Sequence, residues 1–190
     1  MRRFTYSAAA LLAMLAFVAR PASAQNLLTN GGFETGNFTG WTQGGSTIFD
    51  GVATASPHSG TYAGFFGAIG TASTLSQTIA TTAGALYNLD FWWLPSGDNP
   101  AFFSVTWGGS TLFSLNNAPA SGYTQKTFLS LAGQAGSTTL TFTLQDNDGF
   151  QFLDDVRVTS VTPEPATMTL MATGLVGMVG AGLKRRRKQG

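Results

Sequence analysis

The stretch TTLTFTL at residues 138–144 predicts the fold of this chain. Leu140, Phe142 and Leu144 occupy every second position, and threonines fill the positions between them. Because successive side chains of a strand point to opposite faces, this alternation predicts a strand with one buried face and one face in water. Strands of this kind are typical of antiparallel sheets.

Further strands are predicted on both sides of this stretch. Runs rich in Thr, Ser, Phe and Val predict strands at residues 73–79, 87–94, 102–107, 126–131 and 150–159. Turn signals rich in Gly, Pro, Asn and Asp separate several of them, at residues 95–100, 107–110 and 146–149. No amphipathic helical stripe of useful length is found. The pattern predicts an all-β chain folded as an antiparallel β-sandwich, of which the jelly roll is one form.

The N-terminal residues have the three regions of a secretory signal peptide. Arg2 and Arg3 precede an apolar run at residues 6–19, and Ala22-Ser23-Ala24 offers a small-x-small cleavage site. We therefore expect signal peptidase to remove residues 1–24. The alternative is an uncleaved anchor, for which the apolar run is short.

The C-terminal residues form a second processing segment. The motif Pro163-Glu164-Pro165 precedes an uncharged stretch at 166–183, and five cations follow at 184–188. The stretch is about as long as the ~20 residues that a helix needs to cross a bilayer. It predicts a transmembrane helix with its basic end in the cytoplasm. The alternative is a plain single-span anchor, which would need no Pro-Glu-Pro motif.

This tail resembles the PEP-CTERM sorting signal of Gram-negative bacteria, over residues 163–190. The resemblance implies that a membrane protease, exosortase, cuts near Pro163–Pro165 and passes the protein to the cell surface or extracellular matrix. Proteins with this signal often accompany exopolysaccharide production. The chain is therefore expected to consist of a signal peptide at 1–24, a β-sandwich domain at 25–162 and the sorting signal.

The charge of the expected domain differs from that of the whole chain. The full chain is formally +1, but residues 25–162 hold only Lys126 and Arg157 against eight carboxylates, a net charge of −6. A domain with two cations cannot neutralise a phosphate backbone, so nucleic acid is excluded as a partner. The chain has no cysteine, which excludes thiol chemistry and cysteine-ligated metal sites.

Three segments of the domain carry a second resemblance. They are NLLTNGGFETG at 26–36 followed by Trp41, SGTYA at 59–63, and FLDDVRV at 152–158. In this order they resemble the opening, a loop with the start of the next strand, and the last strand of galactose-binding-like β-sandwich modules, among them many carbohydrate-binding modules. The resemblance implies that fold and favours a role in contacting polysaccharide.

The same resemblance implies one structural Ca²⁺ that ties the first strand to the last. Glu34 and one of Asp154 or Asp155 would supply carboxylates, while Gly32 and the loop at 59–62 would supply carbonyl oxygens. Ca²⁺ accepts ~6–8 oxygens, so such a mixed site is reasonable. Strand alternation does not choose between the two aspartates. The alternative is that these acids are exposed strand-end or turn residues, with Asp155 paired to Arg157.

A second acidic stretch, Asp-Asn-Asp-Gly at 146–149, resembles a fragment of a calcium loop. It lacks the full ligand spacing and the bidentate Glu, so a turn is the favoured interpretation.

The sequence contains few residues in a pattern suited to catalysis. His58 is the only histidine, and no G-x-S-x-G motif marks a nucleophile. Glycosidases need two carboxyl groups across the scissile bond, and no pair stands out here. The sequence predicts a protein that is not an enzyme, with a hydrolase using His58 as the least favoured alternative.

Aromatic residues supply the candidate ligand contacts, because sugars present apolar C–H faces that pack on flat rings. Adjacent Trp92 and Trp93 must point to opposite faces of one strand, so one enters the core and the other faces outward. These two and Tyr123, in a Ser-Gly loop, are the ligand-binding candidates. We expect an exported, surface-sorted protein that binds extracellular polysaccharide. The alternative is a structural or adhesive matrix protein without a discrete glycan site.

Overall fold

The computed structural model describes residues 25–161, which form two antiparallel sheets packed face to face. The signal peptide, the Pro163–Pro165 motif, the transmembrane helix at 166–183 and the basic tail lie outside the described residues. Within 25–161, no helix is long and apolar enough to cross a membrane. The predicted antiparallel sandwich is confirmed.

Each sheet has five strands. The first has the order β1 (Thr42–Gly45), β4 (Ser73–Thr81), β9 (Gly136–Asp146), β6 (Ala101–Trp107) and β7 (Ser110–Asn116). The second has the order β2 (Gly51–Ala53), β3 (Ala63–Phe66), β10 (Gln151–Ser160), β5 (Leu86–Leu94) and β8 (Thr124–Ala132). The last two strands of residues 25–161, β9 and β10, each lie in the middle of a sheet.

Strand alternation fills the space between the sheets with apolar side chains. On β9, Leu140, Phe142 and Leu144 are fully buried, as the alternation at residues 138–144 predicts. On β5 of the facing sheet, Phe91 meets Phe142 edge to face at 5.0 Å between ring centroids. This aromatic contact joins the two sheets at the centre of the core.

The N-terminal segment closes one edge of this core by binding to β10. The Asn26 side chain donates to the Val156 carbonyl at 2.9 Å and accepts from the Val158 N–H at 3.0 Å. Farther along, the Val156 N–H donates to the Gly31 carbonyl at 2.9 Å. A Cβ at Gly31 would lie 2.0 Å from the Val156 carbonyl oxygen, so only glycine fits this close approach.

A β-bulge interrupts β10 at the level of the candidate site. The register against β5 shifts between Asp154 and Arg157, and Asp155 has a positive φ of 49°. A bulge re-aims side chains locally, and here Asp154 and Asp155 both reach the loop at 56–62.

The stretch at 146–149 is a turn, as predicted. One carboxylate oxygen of Asp146 accepts the N–H groups of Asp148 and Gly149, at 3.4 and 3.0 Å. This local bond pattern is the usual role of aspartate in turns.

Candidate functional site

Trp92 and Trp93 divide between the surface and the core. Trp93 is 3% exposed, stacks on Phe103 at 4.4 Å, and donates its indole N–H to Gln151 at 3.0 Å. Trp93 is therefore a core residue, which corrects its place among the ligand-binding candidates. Trp92 is half-buried on the outer face of the second sheet.

The loop at residues 56–62 lies over this outer face and brings His58 onto Trp92. The two rings are nearly parallel, with centroids 3.9 Å apart and an interplanar angle of 16°. The candidate Tyr123 lies beside them, 5.2 Å from the His58 ring, and its hydroxyl donates to the Ser56 carbonyl at 2.7 Å. Burial, and then the charges of Asp154 and Asp155, raise the pKa of Tyr123. The structure thus places Trp92 and Tyr123 in one cluster with His58.

Asp154 anchors the 56–62 loop through the backbone. It is fully buried, and its Oδ2 accepts the N–H groups of His58 and Ser59 at 2.8 and 3.2 Å. Its Oδ1 accepts the N–H of Asp155 at 2.7 Å. Burial raises the pKa of Asp154 to about 6, although the N–H donors of Ser59, Asp155 and His58 oppose this effect.

Asp155 holds the same loop through side chains. Its Oδ2 lies 2.7 Å from His58 Nδ1, and its Oδ1 accepts the Ser59 hydroxyl at 2.8 Å. Because Ser59 donates to Asp155, its hydroxyl is bonded to the carboxylate and not to the imidazole. This arrangement differs from a catalytic triad, in which the base bonds the nucleophile.

Glu34 binds the C-terminal end of the 56–62 loop. Its carboxylate accepts the N–H of Thr61 at 3.0 and 3.1 Å and that of Tyr62 at 3.2 Å. A Cβ at Gly32 would lie 3.6 Å from Asp155 Oδ1 and 4.0 Å from Asp154 Oδ1. The four predicted metal positions, Gly32, Glu34, Asp154 and Asp155, are therefore gathered around one loop.

These residues match Ca²⁺ in chemistry but not in arrangement. The loop at 59–62 presents N–H donors to the carboxylates, where the calcium prediction has it offering carbonyl oxygens. Among residues 25–161, no three His, Cys, Asp or Glu side chains are grouped to hold a metal ion. Calcium stays a prediction.

A cleft of about 290 Å³ opens beside Trp92. Its lining includes Trp92 and Asp90 of β5, Asp155 and Arg157 of the β10 bulge, and Asn26 of the N-terminal segment. Burial raises the pKa of Asp90, Arg157 acts against this rise, and Asp155 adds to it. Asp90 and Arg157 are directly opposed across the two strands. The cleft combines one flat ring with charged hydrogen-bonding groups, which is the chemistry that a sugar ring requires.

Asp90 and Arg157 were absent from the sequence candidates. A signal for Asp90 existed, since it lies two positions before Trp92 and strand alternation puts both on one face. Arg157 had no such signal, because the bulge decides where it lies.

Comparisons with known proteins agree with this architecture. The described segment is similar to TmCBM61 in complex with β-1,4-galactotriose, with a TM-score of 0.62 and 23% identity over 73% of this chain and 100% of that one. It is also similar to a family 16 carbohydrate-binding module, with a TM-score of 0.51 and 15% identity over 70% and 99% of the two chains. The CBM22-1 xylan-binding domain of Paenibacillus barcinonensis Xyn10C gives a TM-score of 0.50 and 17% identity over 76% and 100%.

Sequence comparison identifies the C-terminal segment. No curated protein matches the chain significantly. The family model described as the PEP-CTERM protein-sorting motif matches residues 161–188, which confirms the resemblance of the tail. This motif indicates export and exosortase-mediated sorting to the cell surface. The chain thus carries a PEP-CTERM sorting motif behind a β-sandwich with the fold of carbohydrate-binding modules.

Proposed function

We propose that this protein binds an uncharged extracellular polysaccharide, without catalysis, in the cleft beside Trp92. The observation that carries the proposal is the half-buried Trp92 indole at a cleft whose lining also includes Asp90, Asp155 and Arg157. A sugar ring would stack on the indole while these side chains bond its hydroxyl groups. The ligands named for two similar folds, a β-1,4-galactotriose and xylan, are uncharged sugars and support this class.

Charge favours an uncharged glycan over an acidic one. The expected domain carries a net charge of −6, and the cleft holds two carboxylates for one guanidinium. A polyanion such as a polyuronate would meet repulsion from both. We infer that the ligand is an uncharged exopolysaccharide of the cell itself. The protein would meet it at the cell surface, after signal peptidase and exosortase have processed the exported chain.

The first test is binding of residues 25–161, whose two sheets enclose a continuous core, to a glycan panel. The panel contains β-1,4-galactan, xylan, polygalacturonate and the exopolysaccharide of the producing cell. We expect saturable binding to a neutral glycan and none to polygalacturonate, by isothermal titration calorimetry. A folded domain that binds no glycan would favour the alternative, an adhesive or structural matrix protein, for which the exposed Ile48 and Leu129 would supply contacts.

Replacing Trp92 should weaken binding without unfolding the domain. For Trp92→Ala we expect a loss of at least about tenfold in affinity, because aromatic residues at the centre of a binding site dominate its energy. The matched control is Leu129→Ala, since Leu129 lies on the neighbouring strand β8 and is 67% exposed. Equal affinity of Trp92→Ala and the wild type would contradict the proposed site.

Calcium remains a further proposal, with Glu34 and one of Asp154 or Asp155 as carboxylate ligands and Gly32 and the loop at 59–62 as sources of carbonyl oxygens. Its test is the unfolding midpoint of the wild type and Glu34→Gln in calcium and in chelator. A rise with calcium that Glu34→Gln abolishes would establish the site. Equal midpoints in both conditions would leave the loop held by its hydrogen bonds alone. In chelator, we expect Glu34→Gln to cost about 1 kcal/mol, because it weakens the bonds to Thr61 and Tyr62.

A further inference from the structure

His58 covers one side of the Trp92 indole. With the two ring centroids 3.9 Å apart and the planes at 16°, the imidazole occupies the space in which a second flat group would stack. The cleft lining contains Trp92 but not His58. A ligand in the cleft therefore meets the part of Trp92 that His58 leaves open.

The His58 ring has little freedom to leave this position. Its backbone N–H is held by the buried Asp154 at 2.8 Å, and its Nδ1 lies 2.7 Å from Asp155. The Tyr123 ring packs against it in a T-shaped contact, with the ring planes at 70°. Because these three contacts restrain the imidazole of His58, it can hold the Trp92 indole on which it stacks in a fixed position.

Asp155 connects this support to the cleft. The same carboxylate bonds His58 and Ser59 and also lines the cleft beside Arg157. A ligand that contacts Asp155 and Trp92 thus contacts two groups that the 56–62 loop holds in place.

We propose that His58 is a positioning residue for glycan binding, which packs behind Trp92 and holds the indole against the cleft. The inference rests on the proposed function. Because His58 takes one side of the indole, the site stacks a single sugar ring on Trp92, and neighbouring rings of the polymer are bound by the polar groups of the cleft. Preorganisation of this kind raises affinity by removing the cost of ordering the side chain on binding.

Two substitutions at His58 separate stacking from hydrogen bonding. His58→Ala removes the ring, whereas His58→Phe keeps a flat ring and removes the bond to Asp155. Both keep the backbone N–H that Asp154 accepts, so the loop stays anchored. Against β-1,4-galactan, or the neutral glycan of the panel that the wild type binds best, we expect about tenfold weaker binding for His58→Ala. We expect His58→Phe to bind within about threefold of the wild type, as rescue by a stacking ring requires. Ser59→Ala, which removes another Asp155 bond without touching Trp92, is the matched control.

Tryptophan quenching gives a readout that needs no glycan. The other three tryptophans of the chain, Trp41, Trp93 and Trp107, are 8, 3 and 5% exposed, so acrylamide quenching reports mainly Trp92. Removing the stacked ring should raise quenching in His58→Ala, and His58→Phe should restore the wild-type value. Circular dichroism confirms that each variant is folded.

The outcomes distinguish this inference from the proposed function. If the wild type binds a neutral glycan and folded His58→Ala binds it equally well, the positioning role is overturned and the glycan site stands. Unchanged quenching in His58→Ala, or a His58→Phe variant as weak as His58→Ala, also overturns the positioning role. If the wild type binds no glycan, the proposed function fails first, and the positioning role fails with it.

Discussion

Replacing Phe142 with alanine should lower the free energy of unfolding by about 3–5 kcal/mol. The Phe142 side chain is fully buried and contacts rings of both sheets, with Phe91 at 5.0 Å and Phe103 at 6.2 Å. Truncation removes the apolar contacts and leaves a cavity that the two sheets cannot close without sliding. Since small domains are stable by only about 5–15 kcal/mol, this single change should remove a large share of the stability.

Denaturant unfolding of residues 25–161, followed by tryptophan fluorescence, measures this loss. Phe49→Ala is the control, because it makes the same chemical change at a side chain that is 45% exposed. We expect the control to cost less than about 1 kcal/mol. Equal losses for the two variants would mean that the centre of the core lies elsewhere.

Replacing Gly31 with alanine should cost about 2–4 kcal/mol, although it adds only one methyl group. The added Cβ would lie 2.0 Å from the Val156 carbonyl oxygen, a backbone atom that cannot rotate away. The N-terminal segment would have to move off β10. It would then lose the Asn26 bonds to Val156 and Val158 and the Val156 N–H bond to Gly31.

The neighbouring glycine provides the matched control. At Gly32 the nearest atom to an added Cβ is Asp155 Oδ1 at 3.6 Å, an ordinary van der Waals contact. Gly32→Ala should therefore change the unfolding midpoint far less than Gly31→Ala in the same titration. Similar losses at both positions would show that flexibility of this segment, and not the close approach to β10, determines the effect.

The sequence predicted the long strands well and the short ones poorly. Six predicted strands correspond to β4, β5, β6, β8, β9 and β10. The strands β1 and β2 were missed, because each has only three or four residues in a Gly- and Ser-rich region, too few for a period of two to appear. Of β3, only the start at Ala63 was indicated, by the resemblance at residues 59–63. The strand β7 was missed because it lies at the edge of its sheet, where side chains of both faces remain partly exposed and the alternation is weak.

The sequence named some residues of the candidate site but not Asp90 or Arg157, and it did not predict the contacts between them. Trp92, Tyr123, Glu34, Asp154 and Asp155 were all named in advance, and the structure places them around one loop. The contact of His58 with Asp155 had no sequence signal, since it joins residues 97 positions apart. Which tryptophan faces outward did have a local signal, because Trp93 shares its strand face with the apolar Leu89 and Phe91, whereas Trp92 shares its face with Asp90.

The central places of β9 and β10 have a consequence for how the chain leaves the ribosome. These strands are made last, yet each is bonded to a strand on either side, so neither sheet can assemble until they emerge. Until then the earlier strands can form only the separate pairs β1–β4, β2–β3, β5–β8 and β6–β7, and β9 and β10 are needed to join these pairs into two sheets. Folding is therefore completed only when nearly the whole domain has been synthesised. A chain that is still unfolded can pass through a narrow translocation channel. Late folding of this domain is therefore compatible with its export.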